Sequence, residues 1–215
     1  MLDADAAVAD VRDGSTVLVG GFGPAGMPFV LIDALLRQGA TELTIVSNNA
    51  GNAETGLAAL LAAGRVRKVV CSYPRQVDSW VFDDLYRAGR IELDLVPQGT
   101  LAERMRAAGA GIGAFYCPTG VGTPLAEGKE TREIDGRTYV LELPLRGGVA
   151  VGAAHRADRA GNLVYNKTAR NFGPVMATAA TTTVVQVAEV VDVGGIDPEV
   201  VVTPGIYVDR LVVTG

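Results

Sequence analysis

The 215 residues, 48% hydrophobic and 20% charged, suffice for a globular domain that buries about 70% of the surface its unfolded chain would expose. Nineteen Lys and Arg against 24 Asp and Glu give a formal charge of −5, and the cations are dispersed, so no nucleic-acid groove is expected and small-molecule chemistry is the better default. The opening residues Met1-Leu2-Asp3-Ala4-Asp5 are acidic where a signal peptide or mitochondrial presequence is basic, and no apolar run of about 18 residues follows, which predicts no membrane association and a cytoplasmic location.

Along the chain, Thr16-Val17-Leu18-Val19-Gly20 reads as a strand. A helix follows over 28–38, with Pro28 in its first turn and Phe29, Ile32, Leu35 and Leu36 on one face. Strand 43–46 precedes a polar loop at 47–52 and a helix over 55–63. Next come strand 68–71, an amphipathic helix over 77–88, strand 91–96 and a helix over 99–108. Such alternation predicts βαβ units and a mainly parallel sheet, with right-handed crossovers placing helices on both faces. Between 131–134 and 137–142 the dipeptide Asp135-Gly136 predicts a hairpin, because a type I′ turn needs positive φ at both central residues. β-Rich segments at 149–154 and 183–191 flank a helical stretch at 174–180. With no linker, low-complexity segment or short-period repeat, the expectation is one α/β domain over 1–215: a mainly parallel sheet with an inserted antiparallel hairpin.

Cys71 and Cys117 end apolar strand-like segments and read as reduced thiols, not a disulfide framework. A single histidine, His155, rules out multi-histidine metal sites, and Cys71, Cys117 and His155 lack close ligand spacing, so no metal is expected. Without a nucleophile-elbow pattern, His155 reads as a surface or strand-end residue.

Glycines cluster at 20–26, 109–113, 120–122 and 147–148, mostly in loops at strand ends, and so point to the carboxyl edge of the sheet as the ligand crevice. Residues 21–26 formally satisfy GxGxxG, but a dinucleotide turn also wants an acid at the end of the second strand. Ser47-Asn48-Asn49 stands there instead. The alternatives are a tight turn without a ligand, or a turn whose N–H groups face an anionic or carbonyl-bearing one.

Asp13-Gly14, the apolar residues 17–19, Gly20-Gly21-Phe22 and Gly26-Met27-Pro28 together resemble the N-terminal signature of the A subunits of family I coenzyme A transferases. The resemblance continues through Ser47 to Gly51, Pro97-Gln98-Gly99 to Arg104, Pro118 to Thr123, Ala169-Arg170-Asn171-Phe172 and Thr203-Pro204-Gly205, covering essentially the whole chain. It implies ping-pong transfer of CoA between carboxylic acids through a glutamate carried by a B subunit in a Ser-Glu-Asn-Gly segment. This chain has no such tetrapeptide, so it is expected to be half of an active site, in an AB or A₂B₂ assembly. CoA thioester enters as substrate, with no other cofactor.

By the same resemblance Gln98 stabilises an oxyanion, Asn48 and Asn49 contact substrate or the thioester, and Phe22, Gly23 and Gly26 wall the pocket. The segment Cys71 to Asp83 looks like that of the 3-oxoadipate branch, with succinyl-CoA as donor, and Gly128 to Gly136 supports the same branch less specifically. Arg75, within the first segment, is the candidate partner for a distal carboxylate. At 147–153 the chain departs from the family pattern, which has an Asp near the start and a Lys where Gly152 stands. The rival readings are another short 3-oxoacid as acceptor, a sugar-phosphate isomerase on a similar fold, and a binding or scaffold chain without chemistry.

Overall fold

The computed structural model describes residues 2–214, and Met1 and Gly215 lie outside the described residues. Numbered along the chain, the main sheet runs β11 (Arg210–Val213), β10 (Ala180–Val191), β8 (Gly147–Asp158), β1 (Thr16–Val19), β2 (Leu43–Val46), β3 (Val66–Cys71) and β4 (Glu92–Leu95), all parallel. The short β9 (Leu163–Val164) lies antiparallel on β8. From β1 the chain steps outward to β4, then returns to lay β8 on the other flank of β1. Strand order therefore reverses between β1 and β8, and a crevice opens outside the carboxyl ends of the strands at such a point.

The pleat sorts the apolar runs between two cores. Val17, Val19, Ile45 and Val69 meet α1 (Ala4–Val8), α2 (Phe29–Gln38), α3 (Leu57–Ala62) and α4 (Trp80–Arg87) on one face. Leu18, Val46 and Val70 meet α5 (Gln98–Gly109) and α6 (Gly173–Ala179) on the other. Strands buried on both sides have no polar face to show, which is why they read as unbroken apolar stretches. Helix α2 is fixed at both ends. The free N–H groups of Val30 and Leu31 donate to Gln186 Oε1 of β10 at 3.0 and 3.3 Å, and Gly39 ends the helix at φ 93° with its N–H on the Leu35 carbonyl.

Strands β6 (Thr131–Ile134) and β7 (Arg137–Glu142) pair across Asp135 and Gly136, whose φ values of 50° and 72° are the positive angles that turn needs. A third strand, β5 (Phe115–Cys117), joins β7, so the insertion is a three-stranded sheet of its own. Buried Glu142 ties it to α5, taking Lys129 Nζ at 2.6 Å with Arg104 Nε 4.0 Å away.

Elements α1, β9 and β11 have no counterpart in the apolar periodicity. Helix α1 is largely alanine and rests on its cap, Asp3, which accepts from Ala6 N–H at 2.7 Å. Strands β8 and β10 also outrun their expected segments, staying paired from Gly147↔Ala180 to Asp158↔Val191. Their polar far ends are held by cross-strand pairs such as Arg156 with Glu189 at 2.8 Å. Among the described residues no helix is long and apolar enough to cross a membrane.

Candidate active site

Beyond β1, Gly20 N–H still donates to Val151 O of β8 at 3.0 Å. The chain then leaves the sheet through Gly21, Gly23 and Gly26, at φ 127°, 57° and 72°. Gly26 is the tightest position: a Cβ there would lie 2.3 Å from the Ala169 carbonyl oxygen. Phe22 and Ala25 exchange backbone hydrogen bonds at 3.0 and 3.2 Å, and the Phe22 ring projects half-exposed.

One amide clamps this loop from across the fold. Asn171 Oδ1 accepts from Gly21 N–H at 3.1 Å and Phe172 N–H at 2.7 Å, while Nδ2 donates to the carbonyls of Ala25 at 2.9 Å and Thr168 at 3.0 Å.

After β2 come Asn48 and Asn49, both buried. They diverge. The Asn48 carbonyl accepts from Ser72 and Tyr73 N–H at 3.2 and 3.0 Å, and its Nδ2 donates to Ser72 Oγ at 2.9 Å. Asn49 Oδ1 takes Gly51 N–H at 2.8 Å, whereas its buried Nδ2 has no partner among the described residues. Gln98 is the first residue of α5, following Pro97 in an extended conformation.

A cavity of about 330 Å³ gathers Phe22, Asn48, Ser72, Tyr73, Gln76 and Gln98. These residues follow the carboxyl ends of β1, β2, β3 and β4, so one edge of the sheet supplies the whole lining. Its polar groups are amides and hydroxyls, with no carboxylate among them. A second cavity, of about 230 Å³, holds Gly23 and Asn49 with Met27, Phe29 and Leu57. A third, of about 470 Å³, is lined by Phe22, Ala25, Lys167, Thr168, Arg170 and Asn171. Neighbours in sequence thus face different spaces, and the loop at 22–23 and the loop at 48–49 are the partitions.

Phe22, Asn48 and Gln98 therefore meet, Gly23 and Asn49 share the adjoining cavity, and Gly26 seats the loop on the 167–171 turn. Arg75 lies outside all three cavities. Its side chain is 57% exposed, and its Nε donates to Asp83 of α4 at 2.7 Å. Ser72, Tyr73 and Gln76 lie in the stretch that carried the subgroup resemblance, yet only the folded chain shows them as cavity walls. Arg170 and Asn171 belong to a recognised motif whose role was not legible from spacing.

Cys71 is a packing residue: burial pushes its thiol up to about 12, so it stays protonated and unreactive at neutral pH. In the divergent stretch 147–153, a Cβ on Gly147 would fall 2.5 Å from Leu18 Cγ, so close packing demands that glycine. Gly152 sits beside the glycine loop, its Cα 3.6 Å from where a Cβ on Gly20 would be.

The crevice at the reversal point of the parallel sheet is thus bounded by the glycine loop and lined by side-chain amides and hydroxyls. Residues 1–214 match the family model for coenzyme A transferase, and the chain belongs to that family of enzymes. It is 67% identical over 206 residues to the A subunit of the 3-oxoadipate CoA-transferase of Pseudomonas putida, covering 96% of this chain and 89% of that one. With the corresponding 3-oxoadipate CoA-transferase chain of Acinetobacter baylyi it shares 59% identity over 96% of this chain and 90% of the relative. The apoenzyme structure of an acyl-CoA transferase from Escherichia coli O157:H7 matches with a TM-score of 0.87 at 25% identity, over 100% of this chain and 46% of that one. Glutaconate coenzyme A-transferase from Acidaminococcus fermentans has the same fold, with a TM-score of 0.86 at 21% identity, over 99% and 75%.

Proposed function

We propose that this chain is the A subunit of a 3-oxoadipate CoA-transferase, which moves CoA from succinyl-CoA to 3-oxoadipate together with a B subunit that carries the nucleophilic glutamate. The observation that carries this reading is the cavity where Gln98 and Asn48 converge without a carboxylate. Such a site can polarise a carbonyl but offers no carboxylate to form the acyl anhydride. The names of the relatives in Pseudomonas and Acinetobacter support both the substrate and the two-chain organisation.

In the first half-reaction the partner's glutamate carboxylate adds to the thioester carbonyl of succinyl-CoA, and collapse expels the CoA thiolate, leaving a succinyl-glutamyl anhydride. The thiolate then attacks the glutamyl carbonyl, which releases succinate and leaves a glutamyl-CoA thioester. A carboxylate of 3-oxoadipate attacks that thioester and expels the thiolate again. Return of the thiolate to the oxoadipyl carbonyl gives 3-oxoadipyl-CoA and free glutamate. Each addition places negative charge on a carbonyl oxygen, and a fixed N–H donor aimed at that oxygen contributes about 3 to 4 kcal/mol. Gln98 Nε2 is that donor. Asn48, buried and locked to Ser72, orients the reacting group, and Asn49 offers its spare N–H across the partition. CoA is consumed and returned as a thioester, so no further cofactor is needed. The assembly is AB or A₂B₂, in the cytoplasm.

A second reading has its own support: the chain is 54% identical to the A subunit of a succinyl-CoA:3-ketoacid coenzyme A transferase from Xanthomonas campestris. Acetoacetate or another short 3-oxoacid is then the acceptor. Reconstitution with the B subunit, followed by transfer from succinyl-CoA to each acid, tests both. The purified chain alone should be inactive, and Gln98→Ala should lower kcat by about 10²- to 10³-fold in the complex. Turnover by the isolated chain, or an acyl adduct on one of its own acidic side chains, would overturn the division of labour.

A further inference from the structure

Phe22 is shared by two cavities: the amide-lined one with Gln98, and the larger one with Lys167 and Arg170. No acidic residue lines the larger cavity, and among the described residues neither cation has an acidic partner within 4.0 Å. Cations lining other cavities are matched. Arg104 and Lys129 lie against Glu142, Arg159 against Asp192 and Arg210 against Asp10. The unmatched pair sits on a rigid support, since Ala169 between them is packed on Gly26 and Asn171 holds Thr168 and Ala25 together. Lys167 is held at φ 51°, a conformation that a residue with a side chain keeps only where its surroundings impose it.

Amide dipoles beside Gln98 suit a carbonyl whose charge comes and goes. A full negative charge elsewhere on the same acyl group needs a cation. We infer that Lys167 and Arg170 determine specificity by receiving the free carboxylate of a dicarboxylic acyl group whose reacting carbonyl lies beside Gln98, across the Phe22 ring. This rests on the proposed CoA-transferase reading and gives its substrates a common feature, a second carboxylate. Arg75, already engaged by Asp83, is not needed for that contact. A CoA phosphate is the other oxyanion that could meet the pair, and the choice of donor separates the two.

The test uses the reconstituted two-chain enzyme with Lys167→Ala, Arg170→Ala, Arg170→Lys and the double alanine variant. Acceptors are 3-oxoadipate and acetoacetate; donors are succinyl-CoA and acetyl-CoA. In the double variant KM for 3-oxoadipate and for succinyl-CoA should rise about 10- to 100-fold, while acetoacetate with acetyl-CoA stays within about twofold. Arg170→Lys should recover part of the loss, because charge survives and the planar fork does not. Equal losses with both acids overturn the inference. A KM increase for both CoA thioesters with neither acid affected also overturns it, and gives the pair to CoA phosphate. If the unaltered enzyme ignores 3-oxoadipate but still uses succinyl-CoA, the acceptor reading fails, while the comparison of succinyl-CoA with acetyl-CoA still decides the role of the pair. An unaltered enzyme that accepts only monocarboxylic substrates overturns both.

Discussion

Asn171 joins two segments about 150 residues apart in sequence, and its removal should loosen the glycine loop before it touches any substrate. Replacing it by alanine deletes four hydrogen bonds, two accepted and two donated. The carbonyl of Thr168 is near solvent and can turn to water at small cost. The N–H groups of Gly21 and Phe172 belong to buried residues, and an unsatisfied buried donor costs about 1 to 3 kcal/mol. Two of them give an expected loss of about 2 to 6 kcal/mol, the lower end holding if water enters the gap. Asn171→Asp keeps both accepted bonds but turns a carboxylate toward the carbonyls of Ala25 and Thr168, so a loss of about 1 to 3 kcal/mol is expected. Urea denaturation at neutral pH should therefore rank the wild type above N171D, and N171D at or above N171A, with unchanged m values. Because Phe22 and Gly26 ride on the same loop, both variants should also raise KM for the acyl substrates in the complex. An N171A chain within about 0.5 kcal/mol of wild type, with unaltered KM, would refute the clamp.

Gly26→Ala combines left-handed backbone, costing about 1 to 2 kcal/mol, with a 2.3 Å approach to Ala169 O that forces the two loops apart; denaturant midpoints should drop well below those of Gly23→Ala, where a Cβ meets nothing within 4 Å. Cys71 should resist thiol reagents at about pH 8 until the chain unfolds, while the part-exposed Cys117 is modified first, as thiol titration with and without denaturant will show. Burial pushes the Asp158 carboxyl up, but hydrogen bonds from the Asn162 side chain and from the N–H groups of Asn162 and Ala160 outweigh it and hold it below its ordinary value. A depressed carboxylate stabilises the fold above its unfolded pKa of about 3.9 and loses that contribution as pH falls through its folded value. Asp158→Asn should therefore flatten the decline in stability below about pH 4, measured by urea melts across the acid range.

The alternation of β-branched strands and amphipathic helices, and the Asp-Gly turn, were legible in the residues because each is a local rule: pleat period, helix period and backbone sterics act over a few positions. The strand-end glycines and the motifs of the coenzyme A transferase family were legible too, as residue patterns along the chain. Elements α1, β9 and β11 were not legible, since alanine packing, a two-residue strand and a short strand placed by its pairing with β10 depend on partners elsewhere in the chain. Only the tertiary structure decided that Asn48 and Asn49, adjacent in sequence, face different cavities, that Asp83 occupies Arg75, and that Asn171 holds the glycine loop. Cavities, ion pairs and clamps of this kind are made by contacts between distant segments, and a one-dimensional pattern carries residue type without carrying which neighbour reaches it first.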